Sequence, residues 1–296
     1  MKPVLIGLAD WRLPVSGPDA VRLAARAGAE GIQLDLGGPG KAPWLDSTGR
    51  LQTLSTVLAE TGVKPLAVSA NLLNDIGLAA EKGTLASKNV RNVIRRALDV
   101  AVTLRASLVF LPSFRNSAIE SLSVLARTAE VLQWACSEAS KRGLLLATEN
   151  VLDSKQLQQL IASVDATNLR VILDTGNPLA AGLSPVEVLR VAAPVLAQQV
   201  HIKSADDKKQ LSNDEAAVLE TFEELDSRHI PVEAFVLEND YRDSVHARLK
   251  TDILWLRKYI ARFSNNLDLS SGLNKPSQII LNDAIKETRL KYFSQG

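Results

Sequence analysis

Cysteine and histidine are scarce in this 296-residue chain, and each shortage removes a class of chemistry. A single cysteine, Cys136, forbids an intrachain disulfide and leaves no thiolate cluster for zinc or iron–sulfur. It lies in a helical pattern, AEVLQWACSEASKR, where a small buried residue is the expected role. Three histidines are too few for a histidine-built multi-metal centre. Net charge is +1, and Lys and Arg are scattered, so nothing marks nucleic acid or an anionic membrane as a partner. No apolar run approaches the roughly 18–20 residues of a membrane span, and MKPVLIGLADWRLP is too short in its apolar stretch for a secretory signal. No glycine-rich phosphate turn follows the first strand-like run. LADWRLPVSG lacks one, and Gly37-Gly38-Pro39-Gly40 carries a proline inside it. Hydrophobic content of 46% and charged content of 23% are globular values, and a cytoplasmic protein is the expectation.

What is present is an alternation. Short apolar runs at 4–8, 31–36, 65–70, 107–112, 144–149, 170–174, 199–203 and 232–238 read as strands. They are near-continuously apolar, as parallel strands covered on both faces are. Between them lie amphipathic stretches such as NVIRRALDVAVTL, whose apolar residues recur at three- and four-residue intervals. Ser16-Gly17-Pro18-Asp19 before the first helix, and Gly62 and Gly143 after later ones, are cap signals. Eight strand–helix units without a composition break predict a single (β/α)8 TIM barrel over residues 1–263. Residues 264–296 change character to a polar connector, SNNLDLSSGLNKPSQ, and a short C-terminal helix, IILNDAIKETRLKYF. That extension can pack on the barrel or on a second subunit of a homodimer or homotetramer.

Four successive strands in the second half each end near one ionisable side chain: Glu149, Asp174, His201 and Glu238. Their separations of 25, 27 and 37 residues fit one strand–helix unit each. As parallel neighbours in one barrel, these four converge on one point. Three carboxylates and one imidazole suit a hard or borderline divalent cation at an open site. A polar residue at the end of one apolar strand is uninformative; the ordered set of four is not. Three carboxylates converging with no cation between them would repel one another.

AGAEGIQLDL at the second strand, TEN at the fifth, LDTGN at the sixth, VHIK at the seventh and VLEN at the eighth carry a resemblance. Over residues 1–263 the chain resembles the xylose-isomerase-like TIM barrels of the sugar phosphate isomerase/epimerase group. The resemblance implies one divalent metal, Mn²⁺ or Mg²⁺ first and Co²⁺ or Zn²⁺ as alternatives, bound by Glu149, Asp174, His201 and Glu238. It implies that the two glutamates also exchange a proton with the carbon beside a carbonyl. Physical reasoning agrees: the resulting enediolate is stabilised by a metal, and epimerisation needs one acid–base group on each face. The expected function is isomerisation or epimerisation of a small keto-sugar or related polyhydroxy carbonyl compound. The alternatives are dehydration of a cyclic polyol ketone of inosose or dehydroshikimate type, and a barrel that has lost catalysis and only binds. Abasic-site endonucleases of the superfamily require a histidine-rich ligand set that this chain lacks.

Departures from the family pattern bear on substrate. Asn177 stands where many members have a histidine, three residues after the metal aspartate. Asp207 stands where sugar epimerases of the group often carry an arginine, and HIKS replaces HxKD. Substrate contacts are expected at Asn177, Lys203 and the 204–213 loop. Trp11, Trp44, Asn71 and Phe114, which follow the first four strands, are candidates to wall the pocket. With no arginine fork beside Lys203 for a phosphate, an unphosphorylated substrate is the expectation. His229 and His246 read as surface residues.

Overall fold

A computed structural model describes residues 3–243 and 245–269, with side chains described to 243 and over 248–261. Eight parallel strands pair in chain order and close into a barrel. They are β1 (Leu5–Ala9), β2 (Gly31–Asp35), β3 (Lys64–Ser69), β4 (Leu108–Pro112), β5 (Leu145–Glu149), β6 (Leu169–Asp174), β7 (Leu196–Ile202) and β8 (Ala234–Leu237). The barrel helices are α1 (Pro18–Ala27), α2 (Arg50–Thr61), α3 (Leu85–Leu104), α4 (Leu122–Ser140), α5 (Ser154–Val164), α6 (Pro185–Ala192), α7 (Glu215–Ser227) and α8 (Val245–Leu269). The expected (β/α)8 architecture is therefore present. No helix among the described residues is long and apolar enough to cross a membrane.

Two boundaries differ from expectation for local reasons. β7 begins at Leu196, because Gln198 and Gln199 interrupt the apolar run without interrupting the strand: Gln198 faces solvent, while Gln199 is buried and hydrogen-bonded. α8 runs past Phe263 to Leu269, since SNNLDL holds neither glycine nor proline to end an established helix. Residues 270–296, where the C-terminal helix is expected, lie outside the described residues.

Side chains alternate between the two faces of each strand. Outward residues such as Leu146, Val171, Leu173, Val200, Ile202, Phe235 and Leu237 join the helices in the main core. Inward residues form smaller clusters, with Ala67, Leu108, Phe110, Ala147, Ile172 and Ala197 in one and Ala9, Leu66, Ala234 and Val236 in another. Gly7 and Gly31 have no side chain because Leu66 occupies their space; a Cβ would fall 2.5 and 2.6 Å from its Cδ1. Leu66 is an extra residue in the β2–β3 ladder, where Ile32 pairs with Pro65 but Gln33 pairs with Ala67. The small, apolar interior leaves polar inward residues to the carboxyl ends of the strands.

Candidate metal centre and active site

The inward parity of the last four strands sets the site. On β5 it runs Leu145, Ala147, Glu149; on β6, Ile172, Asp174; on β7, Ala197, Gln199, His201; beside β8, Ala234, Val236, Glu238. The β6–β7 register pairs Asp174 with His201, and β7–β8 pairs His201 with Val236. All four expected ligands are buried, and one donor atom from each lies within 4.8 Å of every other. Donors about 2.0–2.6 Å from a common ion cannot stand more than about 5.2 Å apart, so this spread fits one cation.

Hydrogen bonding separates these donors from ordinary buried polar atoms. Asp174 Oδ2, His201 Nδ1 and Glu238 Oε2 are buried without a hydrogen-bond partner among the described residues. The second oxygens of Asp174 and Glu238 and one oxygen of Glu149 are committed. Asp174 Oδ1 accepts from Gly176 N at 2.8 Å and from Asn177 N. Glu238 Oε1 accepts from Trp11 Nε1 at 2.9 Å and Arg12 Nε at 3.4 Å. Glu149 Oε1 lies 3.4 Å from His201 Nδ1 and accepts from Asn177 Nδ2 at 3.1 Å. Buried polar atoms are almost always paired, so three unpaired ones grouped this closely make a set that could hold a cation.

The imidazole is oriented from below. Gln199 Nε2 donates to the Leu66 carbonyl at 2.9 Å, so its Oε1 accepts from Gln33 Nε2 at 2.9 Å. Gln33 Oε1 must then accept from His201 Nε2 at 2.8 Å. In the neutral ring the proton is thereby fixed on Nε2 and the Nδ1 lone pair is turned to the carboxylates, the tautomer a metal ligand requires. Phe110, with its ring centroid 5.7 Å from that of His201 and 5.6 Å from that of Trp11, packs against both.

Electrostatics give the same answer. Burial works against the imidazolium, yet Glu149 and Glu238 outweigh it and lift His201 to about 10. Burial raises Asp174 to about 7, with Lys203 opposing and Glu238 and Glu149 reinforcing the rise. Burial also disfavours ionised Glu238, but Lys203 and Arg12 hold it well below the usual carboxylate range. The centre draws positive charge, and the four donors can accept it as a divalent cation.

The sequence-expected contacts distribute unequally. Asn177 and Lys203 join the centre: Lys203 Nζ donates to Asn177 Oδ1 at 2.9 Å and lies 3.8 Å from Glu238 Oε2. Trp11 joins it through Glu238. Asn71 N instead donates to Asp35 Oδ1 at 3.1 Å, and Phe114 N donates to Asn74 Oδ1 at 2.8 Å. Trp44 lies beneath the Arg96 guanidinium, 3.7 Å from its ring centroid. The 204–213 loop is firmly held: Ser204 N donates to Asn239 Oδ1 at 2.9 Å, and Leu211 N to Asp252 Oδ1 at 3.1 Å. His229 is exposed as expected, and the side chain of His246 lies outside those described. A cavity of about 400 Å³ lined by Ser107, Arg170, Gln198 and Glu233 opens at the opposite, amino end of the strands.

Sequence reasoning missed Arg12, Gln33, Gln199 and Phe110. For the two glutamines a signal existed: each shares the inward parity of Asp35 or His201, two residues away on its strand. Arg12 gave no such signal, since it reaches Glu238 and Asp207 from a loop at the other end of the sequence.

A closed (β/α)8 barrel with a buried Glu–Asp–His–Glu centre at the ends of β5 to β8 defines an enzyme of the sugar isomerase/epimerase kind. The chain belongs to the xylose isomerase-like TIM barrel family, whose pattern it matches over residues 21–258. It is 42% identical over 257 residues to 2-epi-5-epi-valiolone 7-phosphate 2-epimerase from Actinoplanes sp., covering 86% of this chain and 93% of that protein. The fold recurs in L-ribulose 3-epimerase, with a TM-score of 0.72, 18% identity, and 92% and 100% of the two chains covered. It recurs also in D-psicose 3-epimerase from Clostridium cellulolyticum H10, with a TM-score of 0.69, 14% identity and coverage of 87% and 99%.

Proposed function

We propose that this protein is a divalent-metal-dependent epimerase that inverts a hydroxyl-bearing carbon beside the ketone of a polyhydroxylated ring. The observation that carries the reading is the set of unpaired donors, Asp174 Oδ2, His201 Nδ1 and Glu238 Oε2, grouped with Glu149. The 42% identity to an epimerase of a cyclic ketone phosphate supports the ring and the reaction. Three carboxylates and an imidazole suit Mn²⁺ or Mg²⁺ first, with Co²⁺ and Zn²⁺ also accommodated.

A bound cation supplies positive charge to the substrate oxygens that become negative when the adjacent C–H bond breaks. One glutamate, Glu149 or Glu238, takes the proton from that carbon, and the other returns a proton to the opposite face. Glu238, held well below the usual carboxylate range by Lys203 and Arg12, is ionised at neutral pH and so open to a proton. Asn177 orients Glu149 through its amide and Lys203 through its carbonyl, which leaves the Asn177–Lys203 pair to meet a substrate hydroxyl. Trp11 and Phe110 form an apolar wall that keeps water from the reacting carbon. Trp44, Asn71 and Phe114, on the loops after β2 to β4, are proposed as outer contacts. The expectation of an unphosphorylated substrate rested on a missing guanidinium, and Arg12 beside Asp207 removes that ground.

Turnover of a cyclic keto-polyol phosphate in deuterated water by the Mn²⁺-loaded protein tests this. One solvent deuterium at the epimerised carbon is expected. Release of water with an unsaturated product would assign dehydration instead, and no exchange at saturating metal would end the reading.

A further inference from the structure

The loops that follow β1, β7 and β8 are stitched into one rim. Tyr241 N donates to the Arg12 carbonyl at 2.9 Å, and Asp240 N to the Asp207 carbonyl at 2.8 Å. Side chains repeat the stitch. Arg12 Nη1 donates to Asp207 Oδ2 at 3.0 Å, while Arg242 Nε and Nη2 donate to Asp240 at 2.7 and 2.6 Å. Two guanidiniums thus share the rim, each fastened by one aspartate. They are near enough that the charge of Arg12 works against that of Arg242, a repulsion outweighed by the Asp240 hydrogen bonds. Arg12 Nη2 has no hydrogen-bond partner among the described residues.

Both guanidiniums keep their aspartate partners, and the N–H groups of Arg12 Nη2 remain open to an anion. The loops after the seventh and eighth strands are also where barrels of this architecture commonly seat a phosphate. A planar guanidinium presents paired N–H groups that match phosphate oxygens. Asp207, in the loop after β7, draws in Arg12 from the loop after β1.

We propose that Arg12 and Arg242 form a subsite for the phosphate of a phosphate monoester substrate, with Lys203 and Asn177 facing its ring hydroxyls. The substrate ring and reaction rest on the epimerase reading above; anion recognition by the two arginines does not. Arg12 also bonds Glu238 Oε1 at 3.4 Å, so the subsite adjoins the ligand set directly. A phosphate held there would fix the distance between its ester carbon and the reacting centre.

Two measurements test the proposal. Inorganic phosphate is titrated calorimetrically into the Mn²⁺-loaded protein and its Arg242→Gln variant, whose exposed side chain can change without disturbing the core. At least tenfold weaker binding by the variant is expected, a difference of about 1.4 kcal/mol. Equal affinity, as phosphate seated on the metal would give, overturns the proposal, and so does absence of binding to the unaltered protein. The second measurement is the ratio of kcat/KM for the phosphorylated over the unphosphorylated member of a matched pair of cyclic ketones. That ratio should fall at least tenfold in Arg242→Gln and also fall in Arg12→Lys; a general loss of activity cancels in it, and an unchanged ratio overturns the proposal. Arginine-dependent phosphate binding without epimerisation would remove the epimerase reading and leave the subsite standing.

Discussion

Both halves of the barrel mouth bury carboxylates, and they treat them in opposite ways. At the ends of β1 and β2, Asp10 Oδ1 accepts from Asp35 N at 2.8 Å, Asp10 Oδ2 from Gly17 N at 3.2 Å, and Asp35 Oδ1 from Asn71 N at 3.1 Å. Three oxygens of this pair thus take backbone N–H groups, and the pair ties three loops together. At the ends of β6 and β8, Asp174 and Glu238 each satisfy one oxygen and leave the other bare. Burial is alike in the two halves. What distinguishes a brace from a ligand is whether backbone donors consume its acceptor capacity.

The sharpest attempt to break this contrast is at the reacting pair. Glu149→Gln and Glu238→Gln keep side-chain shape but remove the carboxylate base, and each should lower kcat by about 10²–10⁴-fold at saturating metal. Near-normal turnover in either would reduce that glutamate to a ligand. A step smaller, Gln33→Leu frees the His201 tautomer and should weaken metal binding by about 10–100-fold with the fold intact. Competition against a metallochromic chelator reads this directly, and unchanged affinity would show that the amide relay does not set the tautomer.

Smaller again, Asp10→Asn offers one acceptor where two backbone N–H groups need one each, and should cost about 1–3 kcal/mol of stability. Its metal affinity should stay near that of the unaltered protein, whereas Asp174→Asn should lose metal; a loss in both would erase the distinction. The mildest effect concerns pH. Burial, with Asp35 adding to it, raises Asp10 to about 7, and burial raises Asp35 to about 6. The folded state therefore holds more protons than the unfolded one between about pH 4 and 7, and stability declines as pH rises through that window. Thermal melts of the metal-saturated protein should show the decline, and Asp10→Asn should flatten it.

Much of this was legible in the sequence because the barrel repeats. Eight apolar runs at unit spacing gave the topology, and Glu149, Asp174, His201 and Glu238 stood out as polar endings on successive strands. Residues that act across the barrel were not legible. Gln33 meets Gln199 and His201 only because β2 faces β7 across the interior, and Arg12 meets Asp207 only because β1 closes the ring beside β8. Linear spacing records neighbours along the chain and is silent about partners across a closed cylinder. Trp44, Asn71 and Phe114 show the converse: position after a strand identifies an end of the barrel, and says nothing of which side chain or backbone group each residue meets there.

The irregular pairing of β2 with β3 has an influence far from where it occurs. Leu66, surplus to that ladder, has its carbonyl taken by the Gln199 amide, and through two glutamines this decides which nitrogen of His201 carries hydrogen. A one-residue slip in strand registry thus acts as a reference potential for a proton some strands away. Restoring regular pairing there, by deleting Leu66, would remove the datum against which the whole relay is aligned. Glutamine amides turned end for end would then present N–H to the ring, and the imidazole would offer the carboxylates a hydrogen instead of a lone pair.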